Sequence, residues 1–428
     1  MVETVKKYLL SPVVLSAFFV FLAIYALKIP LRKDAEFSSV AKKESLISIS
    51  GVITSNPVKN LKIQSYSVNI LVKDAVSSDG IIKVHSEADG VVLAKLPAYC
   101  VEALYPGKLY SEYSTKASDF PIIEKGESVI LEGTWSKTLN AFCVENVKSS
   151  EYFGKNLFLQ KLWHLRSLSR LYLKRLLYSW GNAGALILSL LSGSREYLLQ
   201  DVAEKFKLAG LSHILALSGM HLSFFSGLFS FVGNKIFGKK VKSLFSLAGV
   251  MFFSWFAGLS PSLLRALLCS LFVLFESLFF IRGNFIKTLC LAFLVHVCIF
   301  PLDSLSVAFM LSYAAIFGIL MFSKGFEHFF SLFTPKSLSS SLSASCSAVL
   351  FTSPISIKIF GMFMPIGIIS STIVSPLINC FLALSLFGIV FSLCIPFLSP
   401  LFGCILEVIY KVIVFFVNFF ALVPPVKF

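Results

Sequence analysis

From about residue 183 to its end, the sequence alternates apolar runs of membrane-crossing length with short breaks. No other feature limits more what this chain can fold into. A hydrocarbon core about 30 Å thick is crossed by roughly 20 apolar residues in a helix. Within it every backbone amide must be satisfied inside the segment or its bundle. The runs fall at 206–233, 243–259, 262–281, 285–300, 303–323, 341–361, 364–395 and 398–423. The run 364–395 is too long for one span and contains Pro376, so two spans or a helix broken in the bilayer is expected. Another run, Val13 to Leu27, extendable from Leu9 to Ile29, follows Lys6 and Lys7. No small-x-small site closes it, and an uncleaved anchor over 1–37 is expected rather than a signal peptide. The fold class this implies is an α-helical polytopic membrane bundle of about eight to ten spans, some of them broken. Composition agrees: 56% of residues are hydrophobic, 14% are charged, and 45 are Phe. A soluble enzyme, a disordered chain and a disulfide-rich mini-domain are thereby excluded.

Residues 38–150 have a different period. Ile47-Ser-Ile-Ser-Gly-Val-Ile-Thr, Ser65-Tyr-Ser-Val-Asn-Ile-Leu-Val, Val91-Val-Leu-Ala-Lys-Leu and Ser128-Val-Ile-Leu-Glu-Gly-Thr alternate as half-buried strands do. Asp79-Gly80, Asp89-Gly90, Pro106-Gly107 and Lys125-Gly126 separate them as turns. Five or six strands in so short a stretch predict a small all-β barrel of the OB type. Its twelve Lys/Arg balance twelve Asp/Glu, so it offers no obvious electrostatic grip on a polyanion.

Residues 151–181 form a third segment. Lys155, Lys161, Arg166, Arg170, Lys174 and Arg175 stand among leucines and Trp163, and 155–177 contains no acid. That pattern predicts a basic amphipathic helix lying in the lipid interface, with a nucleic-acid track as the sharper alternative. The net charge of +15 is read first as Lys and Arg holding spans in orientation and meeting anionic lipid. The fourth segment, 182–428, is the bundle.

Polar groups in hydrocarbon cost free energy unless they meet a partner or water. The stretch Ala209-Gly-Leu-Ser-His-Ile-Leu-Ala-Leu-Ser-Gly-Met-His-Leu-Ser223 therefore stands out inside an apolar run. His213, Ser218, Gly219 and His221 are its candidate site residues. Ser218 and His221 are three apart, on one helical face. Two readings stay open: satisfied side chains packing helix on helix, or a discontinuous helix lining a wet cavity. Arg265 sits inside another apolar run, where an Arg at the centre of a span costs roughly 2.5–3.5 kcal/mol. It either snorkels from the start of the span or faces the interior. Asp303, after Pro301, and Ser312-Tyr313 follow; Asp303 is also readable as an acid at a helix start. No HExxH, clustered metal ligands or Walker A sequence occurs. Neither a metal nor another cofactor is expected, nor enzymatic activity. Of the nine cysteines, only Cys100 and Cys143 lie in the β-rich insert. Spacing alone leaves open whether they pair.

At these residues the chain resembles the ComEC family of competence DNA-uptake proteins. The likeness runs in order: Gly193-Ser-Arg195, then Gly210-Leu-Ser-His-Ile-Leu-Ala-Leu-Ser-Gly-Met-His221. Ala257-Gly-Leu-Ser-Pro-Ser-Leu-Leu-Arg-Ala266 and Pro301-Leu-Asp303 follow, with Phe309-Met-Leu-Ser-Tyr-Ala-Ala315. Thr352-Ser-Pro354, Phe360-Gly361 and Ser375-Pro376 complete it. It is strong over about 185–380 and weaker in the insert. Ser194 stands where the family favours Asp, Met310 where it favours Gln, and Ser371 where it favours Asn.

The resemblance implies an inner-membrane channel passing single-stranded DNA into the cytoplasm. The residues of its path would be His213, Ser218, Gly219, His221, Arg265, Asp303 and Ser312. It places the OB-like domain outside the cytoplasm and favours a Cys100–Cys143 disulfide. The Lys/Arg count is the opposite signal, with Lys28, Arg32, Lys33, Lys42 and Lys43 after the first run; folded domains translocate largely regardless of charge. The expected partners are single-stranded DNA, membrane lipid, a DNA receptor, a cytoplasmic motor or DNA-binding protein, and a second copy of the chain. A nuclease would be a separate protein, since the metallo-β-lactamase-like domain of many relatives is not in this sequence. Two other functions compete: a small-solute or lipid transporter on the same bundle, and a serine hydrolase using Ser218 with His296 as base.

Overall fold

The computed structural model describes residues 11–25, 37–39, 43–60, 65–78, 83–102, 121–149, 157–217, 219–238, 241–279 and 283–427. The turn dipeptides Asp79-Gly80 and Pro106-Gly107, the cations Lys28, Arg32, Lys33 and Lys42, and Ser218 lie outside the described residues. Two compact units divide the chain: Lys33–Ser179, and Met1–Arg32 together with Trp180–Phe428. The basic helix thus belongs with the β-rich insert and the first apolar helix with the bundle.

In the first unit, alternation along the strands builds a barrel. β1 (Leu46–Ile53), β2 (Ser65–Ser78), β3 (Lys83–Pro97), β4 (Ser128–Ser136) and β5 (Ala141–Ser149) pair antiparallel as β1–β2, β2–β3, β4–β5 and β1–β4. The parallel pairing of β3 with β5, through Ala94↔Phe142 and Lys95↔Cys143, closes the circle. That order is the OB topology expected from the alternation, with α1 of this unit, a short helix Ala98–Glu102, between β3 and β4. Tyr66, Val68, Ile70 and Val72 turn inward at every second position of β2. Two of the register shifts fall at Gly51 and Gly133. A Cβ there would lie 2.2 and 2.0 Å from the carbonyl oxygens of Leu71 and Cys143, so the bulges accept only glycine.

Helix α2, Leu157–Tyr178, packs on the turn that leads into β4. Trp163 covers Gly126, whose added Cβ would sit 2.9 Å from the indole, and Arg166 Nη1 donates to the Lys125 carbonyl at 3.3 Å. Arg170 Nε and Lys174 Nζ approach the Glu124 carboxylate at 3.1 and 2.5 Å. The interfacial reading of this helix is corrected for three of its five candidate cations. Arg166, Arg170 and Lys174 are buried, whereas Lys161 and Arg175 are exposed. The outward face instead carries Phe158, Leu162, Leu165 and Tyr172, spaced as one helical stripe. One buried acid recruits the basic face inward and leaves the apolar one outside. Cys100 and Cys143 are free thiols, so the expected disulfide is absent; burial pushes the Cys100 thiol up to about 11, against a weaker pull from Tyr99.

The second unit is helical. Its helices are α3 (Pro12–Tyr25), α4 (Gly181–Ser192), α5 (Gln200–Leu208), α6 (Ser212–Leu215) and α7 (Gly219–Phe237). There follow α8 (Lys242–Ala257), α9 (Pro261–Leu278), α10 (Phe285–Ile299) and α11 (Val307–Phe330). The last three are α12 (Lys336–Phe360), α13 (Gly367–Cys394) and α14 (Ser399–Ala421). Ser260, Asn284 and Ser306 cap α9, α10 and α11 by accepting the N–H groups of Leu263, Ile286 and Phe309.

Among the described residues, four helical segments are long and apolar enough to cross a membrane: Val307–Phe330, Lys336–Phe360, Gly367–Cys394 and Pro396–Ala421. The apolar helices α3, α4, α8 and α10 have 12 to 16 residues. At 1.5 Å per residue they extend about 18–24 Å, short of a core of about 30 Å. Among the described residues four spans are thus clear by length and apolarity together, where eight to ten are expected from the apolar runs. The run at 364–395 is a single helix, α13, with Pro376 inside it. The ring removes one donor from the ladder and with it the usual partner of the Thr372 carbonyl; such prolines are tolerated in membrane helices where neighbouring groups make good the loss.

Candidate functional site

The polar stretch 209–223 breaks the helix, as its glycines and small residues predict. Regular structure stops at Leu215, Ala216 is extended, and α7 begins at Gly219. Gly210, at φ +74°, allows the entrance to this segment to touch α13: an added Cβ would lie 2.6 Å from Gly367 Cα. Ser370 Oγ fastens the same point by donating to the Ala209 carbonyl at 2.6 Å.

Downstream of the break, Gly219 meets α9. A Cβ at Gly219 would lie 3.3 Å from Arg265 Nη2 and 3.7 Å from the Ala266 methyl, so a hydrogen at this position leaves room for the guanidinium. Arg265 is 7% exposed. Its Nη1 donates to the Ser312 carbonyl at 2.8 Å, while its Nε is buried without a hydrogen-bond partner. Among the described residues no carboxylate pairs with it. An Arg that snorkelled would reach water; this one points into the bundle.

From Ser312 the polar chain continues through the next residue. The Tyr313 hydroxyl lies 3.3 Å from His296 Nδ1, and His296 Nε2 lies 3.2 Å from Asp303 Oδ2. Phe293, Phe309 and Tyr313 enclose the imidazole side of this cluster, with the His296 and Phe309 ring centroids 4.8 Å apart. Asp303 sits in the 3-10 turn Pro301–Leu305, and its carbonyl accepts from Ser306. The acid is thus a partner of His296, and Ser306 is the cap of α11. The Tyr25 hydroxyl donates to the Ser304 carbonyl and ties α3 to the same turn.

The structure therefore brings together Gly219, Arg265 and Ser312, and links Asp303 to them through Tyr313 and His296. It does not bring His221 to open space, for that ring is fully buried. His213 is reachable by solvent although protein crowds around it. Ser218 lies outside the described residues. His296 and Tyr313 are the members that motif reading left unassigned as path residues; a lone His in an apolar run seven residues before an acid was their signal. Both ring nitrogens of His296 lie within hydrogen-bond reach of a partner, Asp303 on one side and Tyr313 on the other. Of the residues that depart from the family pattern, Ser194 Oγ donates to Glu196 at 2.8 Å and Ser371 Oγ to Ser345 Oγ at 2.9 Å.

Comparison with known proteins covers this bundle. The family model described as "Competence protein" matches residues 190–428. An uncharacterised protein of Aquifex aeolicus (strain VF5) is 29% identical over 233 residues, 53% of this chain and 52% of that protein. The ComE operon protein 3 of Bacillus subtilis (strain 168) is 28% identical over 143 residues, 33% of this chain and 18% of that protein. The chain is thus matched to about half of one relative and under a fifth of the other. No solved structure matches it.

Proposed function

This chain belongs to the competence protein family, a membrane protein with a role in competence, and from that premise we propose that its bundle conducts single-stranded DNA. The membrane is the bacterial inner membrane, the β-barrel lies on the outer side, and the strand moves towards the cytoplasm. The chain acts as a conduit rather than an enzyme. A DNA receptor, a separate nuclease and a cytoplasmic motor or DNA-binding protein supply capture, strand removal and direction.

One observation carries this reading: the buried guanidinium of Arg265, held by a single backbone carbonyl beside the helix break. A polyanion crossing a bilayer needs positive potential and donors on its path. Arg presents several donors in a planar fork suited to phosphate, and here only part of that fork is engaged. With Arg265 and His221 enclosed, this arrangement is the closed one. Passage requires α7 and α9 to part at Gly219, exchanging the Ser312 carbonyl for phosphate oxygens.

The test is uptake of labelled DNA into the cytoplasm, scored separately from surface binding, in cells carrying Arg265→Ala or Arg265→Lys at normal protein levels. A hydrogen bond to a charged group is worth about 1.5–3 kcal/mol, so Arg265→Ala should lower entry about ten- to 150-fold with binding intact. Arg265→Lys should recover part of it. Unchanged entry in Arg265→Ala would remove this residue from the path.

A further inference from the structure

Asp303, a path candidate by its motif, is paired with His296 and takes no part in the phosphate contact proposed at Arg265. His296 is closed to solvent, whereas the Asp303 side chain is 35% exposed. The pair therefore joins a part-exposed carboxylate to a buried imidazole. The groups facing it come from every neighbouring element. Arg265 and Cys269 face it from α9, Tyr313 from α11 and Tyr25 from α3, and Cys290 packs into the same cluster from α10 itself. Glu276 of α9 accepts the Thr288 hydroxyl two turns away along α10. Ionisable side chains inside a membrane bundle are costly and serve ion or proton pathways more often than packing.

We propose that Asp303 and His296 together form a proton-binding site whose occupancy sets the positive potential around Arg265, so that proton uptake and polyanion binding reinforce each other. The polyanion half rests on the DNA reading above; the proton half does not. One proton from water adds at the exposed Asp303 oxygen and is shared with His296 Nε2. The pair then passes from net charge −1 to zero, and only an O–H or N–H bond forms. In the charged state the pair offsets the Arg265 cation through Tyr313 and the Ser312 backbone. In the neutral state the guanidinium field is unopposed and holds phosphate more tightly. Linkage makes this reciprocal: a bound phosphate chain must raise the proton affinity of the pair by the same factor. Acid on the side that Asp303 faces then loads the strand, and proton loss releases it.

The test is an infrared-monitored acid titration of the purified full chain in lipid nanodiscs between pH 4 and 9. Wild type should show one carboxyl–imidazole transition, lost in Asp303→Asn. Arg265→Ala should raise its midpoint, because a nearby cation opposes protonation, while the charge-conserving Arg265→Lys should leave it in place. Adding oligothymidylate should raise the wild-type midpoint by about 0.7 unit or more, the fivefold lower end of ordinary coupling, and leave Arg265→Ala unmoved. No transition in wild type, or the same midpoint in wild type and Arg265→Ala, overturns the proton site. A transition that depends on Arg265 but ignores oligothymidylate upholds that site and overturns its coupling to DNA, placing the failure in the DNA reading.

Discussion

Glu124 holds α2 against the barrel, and its replacement by Gln gives the sharpest test of how this unit is assembled. The carboxylate is buried between Arg170 and Lys174, with Arg166 also nearby. Burial alone would favour the neutral acid; the three cations outweigh it and hold the carboxyl at about 2, against an ordinary 4.5. A displacement of that size corresponds to about 3 kcal/mol in favour of the folded unit. Removing one partner of a buried pair typically costs about 3–5 kcal/mol. The sign follows from the depressed folded value. The stabilisation is present above pH 4.5 and disappears as pH falls through about 2. The assay is urea denaturation of the full chain in detergent, with Trp135, Trp180 and Trp255 replaced by Phe so that Trp163, which covers Gly126 beside the pair, reports alone. Glu124→Gln should lose about 3 kcal/mol at pH 7 and lack the acid limb seen in the same background with Glu124 intact. Substituting Glu124, Arg170 and Lys174 together by apolar residues of similar volume should recover most of the loss. A cost below about 1 kcal/mol, or an unchanged acid limb, would refute the latch, since a surface pair behaves that way.

The remaining expectations concern the bundle and the thiols. Gly210→Val should lower folded yield and thermal resistance in detergent, by about 2 kcal/mol or more, because the side chain meets Gly367 backbone at a positive φ; normal yield would show that α13 can retreat. Glu407 Oε2 accepts the Ala183 N–H at 3.1 Å in the first turn of α4, so Glu407→Gln should cost about 1 kcal/mol in the same thermal assay, and no change would deny the carboxylate that role. Mass spectrometry of unreduced, denatured protein treated with a maleimide should find label on both Cys100 and Cys143. Retention of an intact bridge between them would contradict the structure.

The barrel and the order of apolar segments were legible because each depends on a short period. Alternation along β2 and the runs that became α8 to α14 are local properties, and most of their ends fell within a few residues of the observed elements, though α11 runs on to Phe330, past the expected end at 323. What failed was pairing at a distance. Nothing around Arg166, Arg170 and Lys174 discloses that an acid some forty to fifty residues earlier would draw the basic face inward. Amphipathicity gave the helix and its two faces; it assigned them to the wrong sides. The same limit applied to Cys100 and Cys143, whose pairing rested on likeness rather than on any geometry the sequence holds.

At the central site the same reasoning separates what composition reveals from what only packing decides. A buried cation and a glycine-rich interruption are anomalies in hydrocarbon, so Arg265 and Gly219 could be singled out without knowing their neighbours. That they touch required the fold. His296 shows the converse. Alone it reads as a satisfied core residue, and it acquires a role only because the turn at Pro301 brings the chain back and puts Asp303 on one ring nitrogen while α11 puts Tyr313 on the other. If those three groups act as one proton site, Tyr313→Phe should keep the transition of the pair but weaken its response to Arg265→Ala, since the hydroxyl is the polar step between imidazole and guanidinium. A response as large as in the chain that keeps the hydroxyl would mean that the field acts directly through space, and that Tyr313 serves only the aromatic packing around Phe293 and Phe309.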